Sequence, residues 1–195
     1  MFDVGRVIIQ WDLRHLFARL IADEAELDWF LANVVTEEWH SQHDQGRALD
    51  HMLTERKALF PDHHALIDAY RARFLETTPG PVPGTAALIE RLVARGVPLY
   101  CITNFGAEFW PQFRPTMPVL NHFRDIVVSG DEVLAKPDPA IFHLAERRFG
   151  YPAGEMLFID DNAANIASAA SLGWQTHLFT DAMRLEGDLA TRGLI

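Results

Sequence analysis

The chain has 195 residues, of which 49% are hydrophobic and 23% charged, and its net charge is −10. That is enough apolar material to bury the core of one domain, or of one domain carrying a sizeable insertion, and too much for a disordered chain. An acidic chain lacks the basic surface that nucleic acid requires, so no nucleic acid is expected as a partner, and an anionic substrate would need a local source of positive charge such as a metal ion.

The single cysteine, Cys101, excludes an intramolecular disulfide framework and fits a reducing compartment. No apolar run approaches the roughly 20 residues of a membrane span. Met1 to Arg6 has neither the basic leader nor the apolar stretch of a signal peptide, so a cytoplasmic protein without a membrane partner is expected. Oligomeric state is left open.

In chain order, a short element around Phe2-Asp3 comes first. From Leu13 to Thr78 apolar residues recur at helical spacing, among them Leu16, Phe17, Leu20, Leu27, Phe30 and Leu31, then Leu66, Ile67, Tyr70 and Phe74. No strand pattern interrupts this block, and the Pro/Gly-rich segment from Thr77 to Gly84 closes it as a hinge or boundary. Beyond it, four apolar runs read as strands: Leu99 to Ile102, Ile126 to Val128, Met156 to Ile159 and the weaker Thr176 to Phe179. Helical patterns lie among them. One carries Leu88 and Leu92 and stops at Gly96, one follows Pro139, and one follows Asn162. Strands alternating with amphipathic helices predict an α/β fold whose parallel sheet is covered on both faces. Phe2-Asp3 is most simply accommodated as a further strand of that sheet.

Ligands bind beyond the carboxyl ends of the strands in an open parallel sheet. Those ends carry Asp3, Thr103-Asn104 and Asp160-Asp161, and Lys136 lies in a loop before a helix. Crowded carboxylates raise one another's pKa unless a cation resolves the repulsion, and a hard divalent ion such as Mg²⁺ prefers oxygen ligands. Thr103, Asn104 and Lys136 offer donors for phosphoryl oxygens, and an aspartate can serve as the nucleophile.

The segments Asp3-Val4-Gly5, Ile102-Thr103-Asn104, Ala135-Lys136-Pro137-Asp138-Pro139 and Phe158-Ile159-Asp160-Asp161-Asn162 resemble, in order, the four motifs of the haloacid dehalogenase-like superfamily. The stretch from Phe2 to Asp12 is most similar to a bacterial subgroup that includes sugar-phosphate phosphatases. The resemblance implies a Rossmann-like core built from residues 1–12 and 82–195, with an all-helical cap inserted at 13–81. It implies a Mg²⁺-dependent phosphatase of a small phosphorylated metabolite, working through an aspartyl-phosphate. By position, Asp3 is the implied nucleophile. Asp3, Asp160, Asp161 and the carbonyl of Gly5 are the implied metal ligands, and Thr103, Asn104 and Lys136 the groups that hold the phosphoryl oxygens, with Lys136 also steadying the nucleophile.

Two departures from the family pattern stand out. Most phosphatases of the superfamily carry a second aspartate two residues after the nucleophile, to protonate the leaving group and then activate water; here that position is Gly5. Its loss would cost roughly 10²–10⁴-fold unless another group replaces it, and the cap segment offers His40, His43 and Asp44. The first strand is also short, with only Met1 and Phe2 before Asp3, which is expected to leave neighbouring backbone groups unpaired and to weaken the fold.

Plainer readings exist for each motif. Asp160-Asp161 could be a solvated turn and helix cap, Thr103-Asn104 a cap, and Lys136-Pro137 a surface loop. The nine histidines, notably His40 with His43 and His63 with His64, suggest zinc, but no cysteine pair accompanies them. Most of the tryptophans are expected in cores, with Trp39 and Trp110 as candidate walls of the substrate pocket, and Cys101 is expected to pack as a small apolar residue. Two other functions compete with the phosphatase. A 2-haloacid dehalogenase would use the same aspartate without metal, but Asp160-Asp161 and Gly5 argue against it. An impaired binding module would keep the fold without turnover.

Overall fold

The computed structural model describes residues 1–195. After the N-terminal segment come β1 (Ile9–Gln10) and five helices, α1 (Arg14–Phe17), α2 (Glu24–Asn33), α3 (Glu37–Asp44), α4 (Leu49–Leu59) and α5 (His64–Ala72). Next are β2 (Gly80–Pro81), α6 (Thr85–Ala94), β3 (Tyr100–Thr103), α7 (Trp110–Phe113), β4 (Asp125–Val128) and α8 (Ser129–Glu132). The chain ends with α9 (Pro139–Phe149), β5 (Leu157–Asp160), α10 (Ala163–Ser171), β6 (Gln175–Leu178) and α11 (Ala182–Thr191).

Strand β3 pairs in parallel with β4 from Tyr100 opposite Asp125 to Thr103 opposite Val128. Strand β5 pairs in parallel with β6 from Leu157 opposite Gln175 to Asp160 opposite Leu178. Phe2 bridges Cys101 on one side and Ile159 on the other, joining the two pairs into one sheet in the order β4-β3-Phe2-β5-β6. Alternate residues serve opposite faces. Cys101 and Ile159 join the core shared with α6, α11 and the helical block, while Ile102, Val127 and Phe158 pack with Ile141 and Phe142 of α9 and Ala169 of α10. This is the α/β fold with a parallel sheet that the alternation of runs predicts, and the Rossmann-like core that the resemblance implies. Each strand ends one residue beyond its apolar run where Thr103 and Asp160 follow, because the backbone ladder continues past the change in side-chain polarity.

The expectation that the short first strand leaves its neighbours' backbone unpaired is corrected, since Met1 to Asp3 bond to both flanking strands. Phe2 N–H donates to the Tyr100 carbonyl at 3.0 Å, Ile102 N–H to that of Phe2 at 3.1 Å, and Asp3 N–H to that of Ile159 at 2.8 Å. Ile159 N–H donates to the Met1 carbonyl at 3.0 Å, and the Met1 ammonium donates to the Leu157 carbonyl at 2.8 Å. Burial lowers this ammonium to about 6. Beyond Met1 lies a groove of about 200 Å³ with walls that include Leu92, Val97, Tyr151 and Leu189.

The chain enters the helical block through β1 and leaves it through β2, which pair antiparallel, Ile9 opposite Pro81. Helix starts in the block follow from capping. Asp23 accepts from Glu26 N–H, and Thr36 accepts from Trp39 N–H at the head of α3. The C-terminal end of α3 is pinned to the sheet's rim. Ser129 Oγ donates to the Asp44 carbonyl at 2.5 Å and accepts from Phe105 N–H at 2.9 Å. Two glycines allow the close approach. A Cβ on Gly106 would meet the His43 ring at 2.1 Å, and one on Gly130 would meet the backbone N of Ala107 at 2.4 Å. Since the second clash is with backbone, Gly130→Ala is expected to destabilise by about 1–3 kcal/mol, read as a lowered denaturation midpoint; an unchanged midpoint would contradict this packing. No helix is long and apolar enough to cross a membrane.

Candidate active site

The sheet delivers its polar side chains to one edge because Asp3, Thr103 and Asp160 each terminate a parallel strand. Asp160 is fully buried: its Oδ1 accepts from Asn162 N–H at 2.8 Å and from the Asn165 amide at 3.0 Å, and its Oδ2 accepts from Lys136 Nζ at 2.7 Å. Lys136 uses all three of its protons, on Asp160 Oδ2, on the Ile102 carbonyl at 2.9 Å and on Asp3 Oδ1 at 2.9 Å. Burial alone would lower the Lys136 pKa, but the two carboxylates outweigh it and raise it, so this side chain stays charged. Asn104 fixes the lysine loop, donating from its amide to the Lys136 carbonyl and accepting from Lys136 N–H, both at 2.9 Å.

Asp3 is 9% exposed and also accepts from Val4 N–H at 2.7 Å. Burial pushes its carboxyl up to about 7; Lys136 opposes that shift, and Asp160 adds to it. Asp161 is half-buried, and burial followed by repulsion from Asp160 raises it too. One oxygen from each of Asp3, Asp160 and Asp161 lies within 4.8 Å of the others. An all-oxygen cluster of this density with raised carboxyls is suited to a hard divalent cation, which would relieve the repulsion. Thr103 Oγ1 is buried and has no hydrogen-bond partner, an unused donor at the same edge.

The raised Asp3 carboxyl has a pH consequence in the metal-free chain. The folded state holds a proton that the unfolded chain releases near 3.8. This contribution to stability is complete below about pH 4 and is lost as pH rises through about 7. Melting of metal-free protein is therefore expected at lower temperature at pH 8 than at about pH 5, and Asp3→Asn should flatten that difference.

A cavity of about 180 Å³ opens over the cluster. Asp3, Gly5, Asn104 and Asp161 form its sheet side; His40, Ser41 and Asp44 of α3, with Phe74, form the other. Arg6 and Glu37 pair across its rim, with the Arg6 guanidinium 4.8 Å from the ring centre of Trp11. No motif marks Arg6, Glu37 or Trp11 for the site: Arg6 and Trp11 lie just before the helical block and Glu37 within it, at the head of α3. The expectation for Trp39 and Trp110 is corrected. Neither lines this cavity: Trp39 packs on Tyr70 beneath Arg56, and Trp110 packs on Phe105 and Phe113. His43 also lies away from it, bonded to the Arg47 carbonyl and set against Phe109. His63 and His64 have separate partners, the first among Trp29, Phe30 and Phe60, the second on the Lys57 carbonyl. Cys101 is fully buried, and burial raises its thiol pKa.

The chain belongs to the haloacid dehalogenase-like hydrolases, whose family model matches residues 5–173. It is 32% identical over 108 residues to a phosphoglycolate phosphatase of Yersinia pseudotuberculosis, an alignment covering 55% of this chain and 47% of that one. It is 34% identical over 113 residues to an (S)-2-haloacid dehalogenase of Pseudomonas putida, covering 57% and 47%. The alignments therefore span about half the length of these curated relatives. Among solved structures, a haloacid dehalogenase-like enzyme of Bacteroides thetaiotaomicron, in complex with magnesium and inorganic phosphate, superposes with a TM-score of 0.68. Identity there is 21% with 92% of each chain covered, a likeness of fold.

Proposed function

We propose that this chain is a Mg²⁺-dependent phosphatase acting on a small phosphorylated metabolite through an aspartyl-phosphate on Asp3. The observation that carries the reading is the grouping of Asp3, Asp160 and Asp161 within 4.8 Å, with Lys136 between the first two. A dehalogenase needs one ionised aspartate and has no use for two further carboxylates crowded against it, since they oppose that ionisation. The substrate class is small by the volume of the cavity, and a sugar phosphate is the member favoured by the similarity of residues 2–12 to sugar-phosphate phosphatases. Residues 13–81 serve as a cap over a core of 1–12 and 82–195.

In this reading, Asp3, Asp161 and the Gly5 carbonyl hold Mg²⁺, with Asp160 as a further carboxylate of the cluster. When bound, the ion neutralises the carboxylates and the phosphoryl charge. Lys136 aims the free Asp3 oxygen at phosphorus and takes part of the developing charge; Thr103 donates its unused hydroxyl proton to a phosphoryl oxygen, and Asn104 keeps Lys136 in place. Attack by Asp3 breaks the bond to the leaving oxygen, and water then hydrolyses the aspartyl-phosphate. Helical walls around the cavity limit access of bulk water.

The test is phosphate release from p-nitrophenyl phosphate with Mg²⁺ and with chelator. Release that needs Mg²⁺ supports the reading. Chloride release from a 2-haloacid without metal would instead support dehalogenation. The ion has a separate signature: Mg²⁺ should raise the melting temperature more at pH 8 than at about pH 5, because it replaces a proton at Asp3.

A further inference from the structure

Gly5 leaves the phosphatase without an acid where most relatives of its superfamily carry one, and no heavy atom lies within 4 Å of a Cβ built there. The opposite wall of the cavity supplies a candidate. Asp44 closes α3 and is 6% exposed. Its Oδ2 lies 3.2 Å from His40 Nε2, while its Oδ1 is buried without a partner. His40 is held by Tyr70, whose hydroxyl is 2.6 Å from Nδ1, and its ring lies between Trp11 and Phe74. Burial, then the charge of Asp44, raises the Tyr70 pKa. Tyr70 therefore remains a phenol that donates to Nδ1, leaving Nε2–H to donate to Asp44.

Other groups on this wall are occupied or unsuitable. Glu37 is exposed and paired with Arg6, Ser41 donates to the Glu38 carbonyl, and both ring nitrogens of His40 are engaged. Asp44 is also fixed relative to the sheet, since its carbonyl accepts from Ser129, whose oxygen in turn holds Phe105 N–H. Phe105 follows the Thr103-Asn104 end of β3 and lines the same cavity.

We propose that Asp44 is the acid–base residue of this enzyme, supplying from α3 the proton chemistry missing at Gly5. The proposal rests on the phosphatase reading above. In the first step Asp3 forms a bond to phosphorus, the bond from phosphorus to the ester oxygen breaks, and the Asp44 carboxyl gives its proton to that oxygen. In the second, the Asp44 carboxylate takes a proton from water as the water oxygen bonds to phosphorus. The bond to Asp3 then breaks, phosphate departs, and Asp44 is again protonated. His40 is a positioning residue that holds Oδ2 and so orients the Asp44 carboxyl on the cavity wall.

The experiment compares wild type, Asp44→Asn and the double variant Gly5→Asp/Asp44→Asn on two esters with Mg²⁺. One is p-nitrophenyl phosphate, whose phenolate leaves without a proton; the other is glycerol phosphate, whose alkoxide does not. For Asp44→Asn, rapid mixing with the first ester should give a burst of nitrophenolate approaching one per enzyme. Steady turnover then slows by about 10²–10⁴-fold because water is not activated. The second ester should show no burst and a comparable or larger loss. Gly5→Asp in the Asp44→Asn background should restore turnover of both. Turnover of Asp44→Asn within a few-fold of wild type overturns the proposal, as does equal slowing of burst and steady state, which is what a purely structural role would produce. Wild type that releases no phosphate from either ester overturns the phosphatase reading itself, and this proposal with it.

Discussion

Replacing Asp3 with Asn is expected to reduce Mg²⁺-dependent phosphate release by at least about 10³-fold, since an amide cannot form the covalent intermediate. The fold should survive. Asn keeps the side-chain oxygen that accepts from Val4 N–H and Lys136 Nζ, and it removes a carboxyl that burial already disfavours as an anion. The variant should therefore melt within a few degrees of wild type at neutral pH and bind Mg²⁺ more weakly. Activity within tenfold of wild type would remove Asp3 from the chemistry.

The largest effect on stability is expected at Lys136. Its ammonium is the sole side-chain cation bonded to Asp3 and Asp160, and it also satisfies the Ile102 carbonyl. In Lys136→Met, two buried carboxylates face each other without a counter-charge, a loss of about 3–5 kcal/mol. For a chain of this length that corresponds to a fall in melting temperature of roughly 6–20 °C at neutral pH. The deficit should shrink as the pH is lowered, because protonation removes the repulsion, and Mg²⁺ should recover part of it at pH 8. A melting temperature unchanged at pH 8, without metal, would show that Lys136 does not neutralise this cluster.

Residues whose place depends on strand ends were legible in the sequence. Asp3, Thr103 and Asp160 each follow an apolar run, and a parallel sheet carries such residues to one edge whatever the rest of the chain does. The helices after Pro139 and Asn162 were legible for an equally local reason, since Asp138 and Asn162 cap them through neighbouring backbone. The far wall of the cavity was not. Which face of α3 meets the sheet depends on Ser129 and on the space left by Gly106 and Gly130, contacts made between segments distant in the chain. Residue type misled at the tryptophans. Trp39 has the aromatic bulk of a pocket wall but is spent on Tyr70 and Arg56, whereas Trp11, beside the β1 entry, reaches the rim. Asn104 illustrates a subtler limit: its amide was legible as a donor, but both of its polar atoms serve the Lys136 backbone.

The central claim is that phosphate is carried on Asp3, and it can be tested by trapping the intermediate. Wild type mixed with p-nitrophenyl phosphate and Mg²⁺ is quenched in acid, reduced with borohydride and mapped by mass spectrometry. The expected result is conversion of Asp3 to homoserine in the N-terminal peptide, dependent on substrate and on Mg²⁺, and absent in Asp3→Asn. Phosphate release at full rate with Asp3 unmodified, or modification at any other carboxylate, would contradict it.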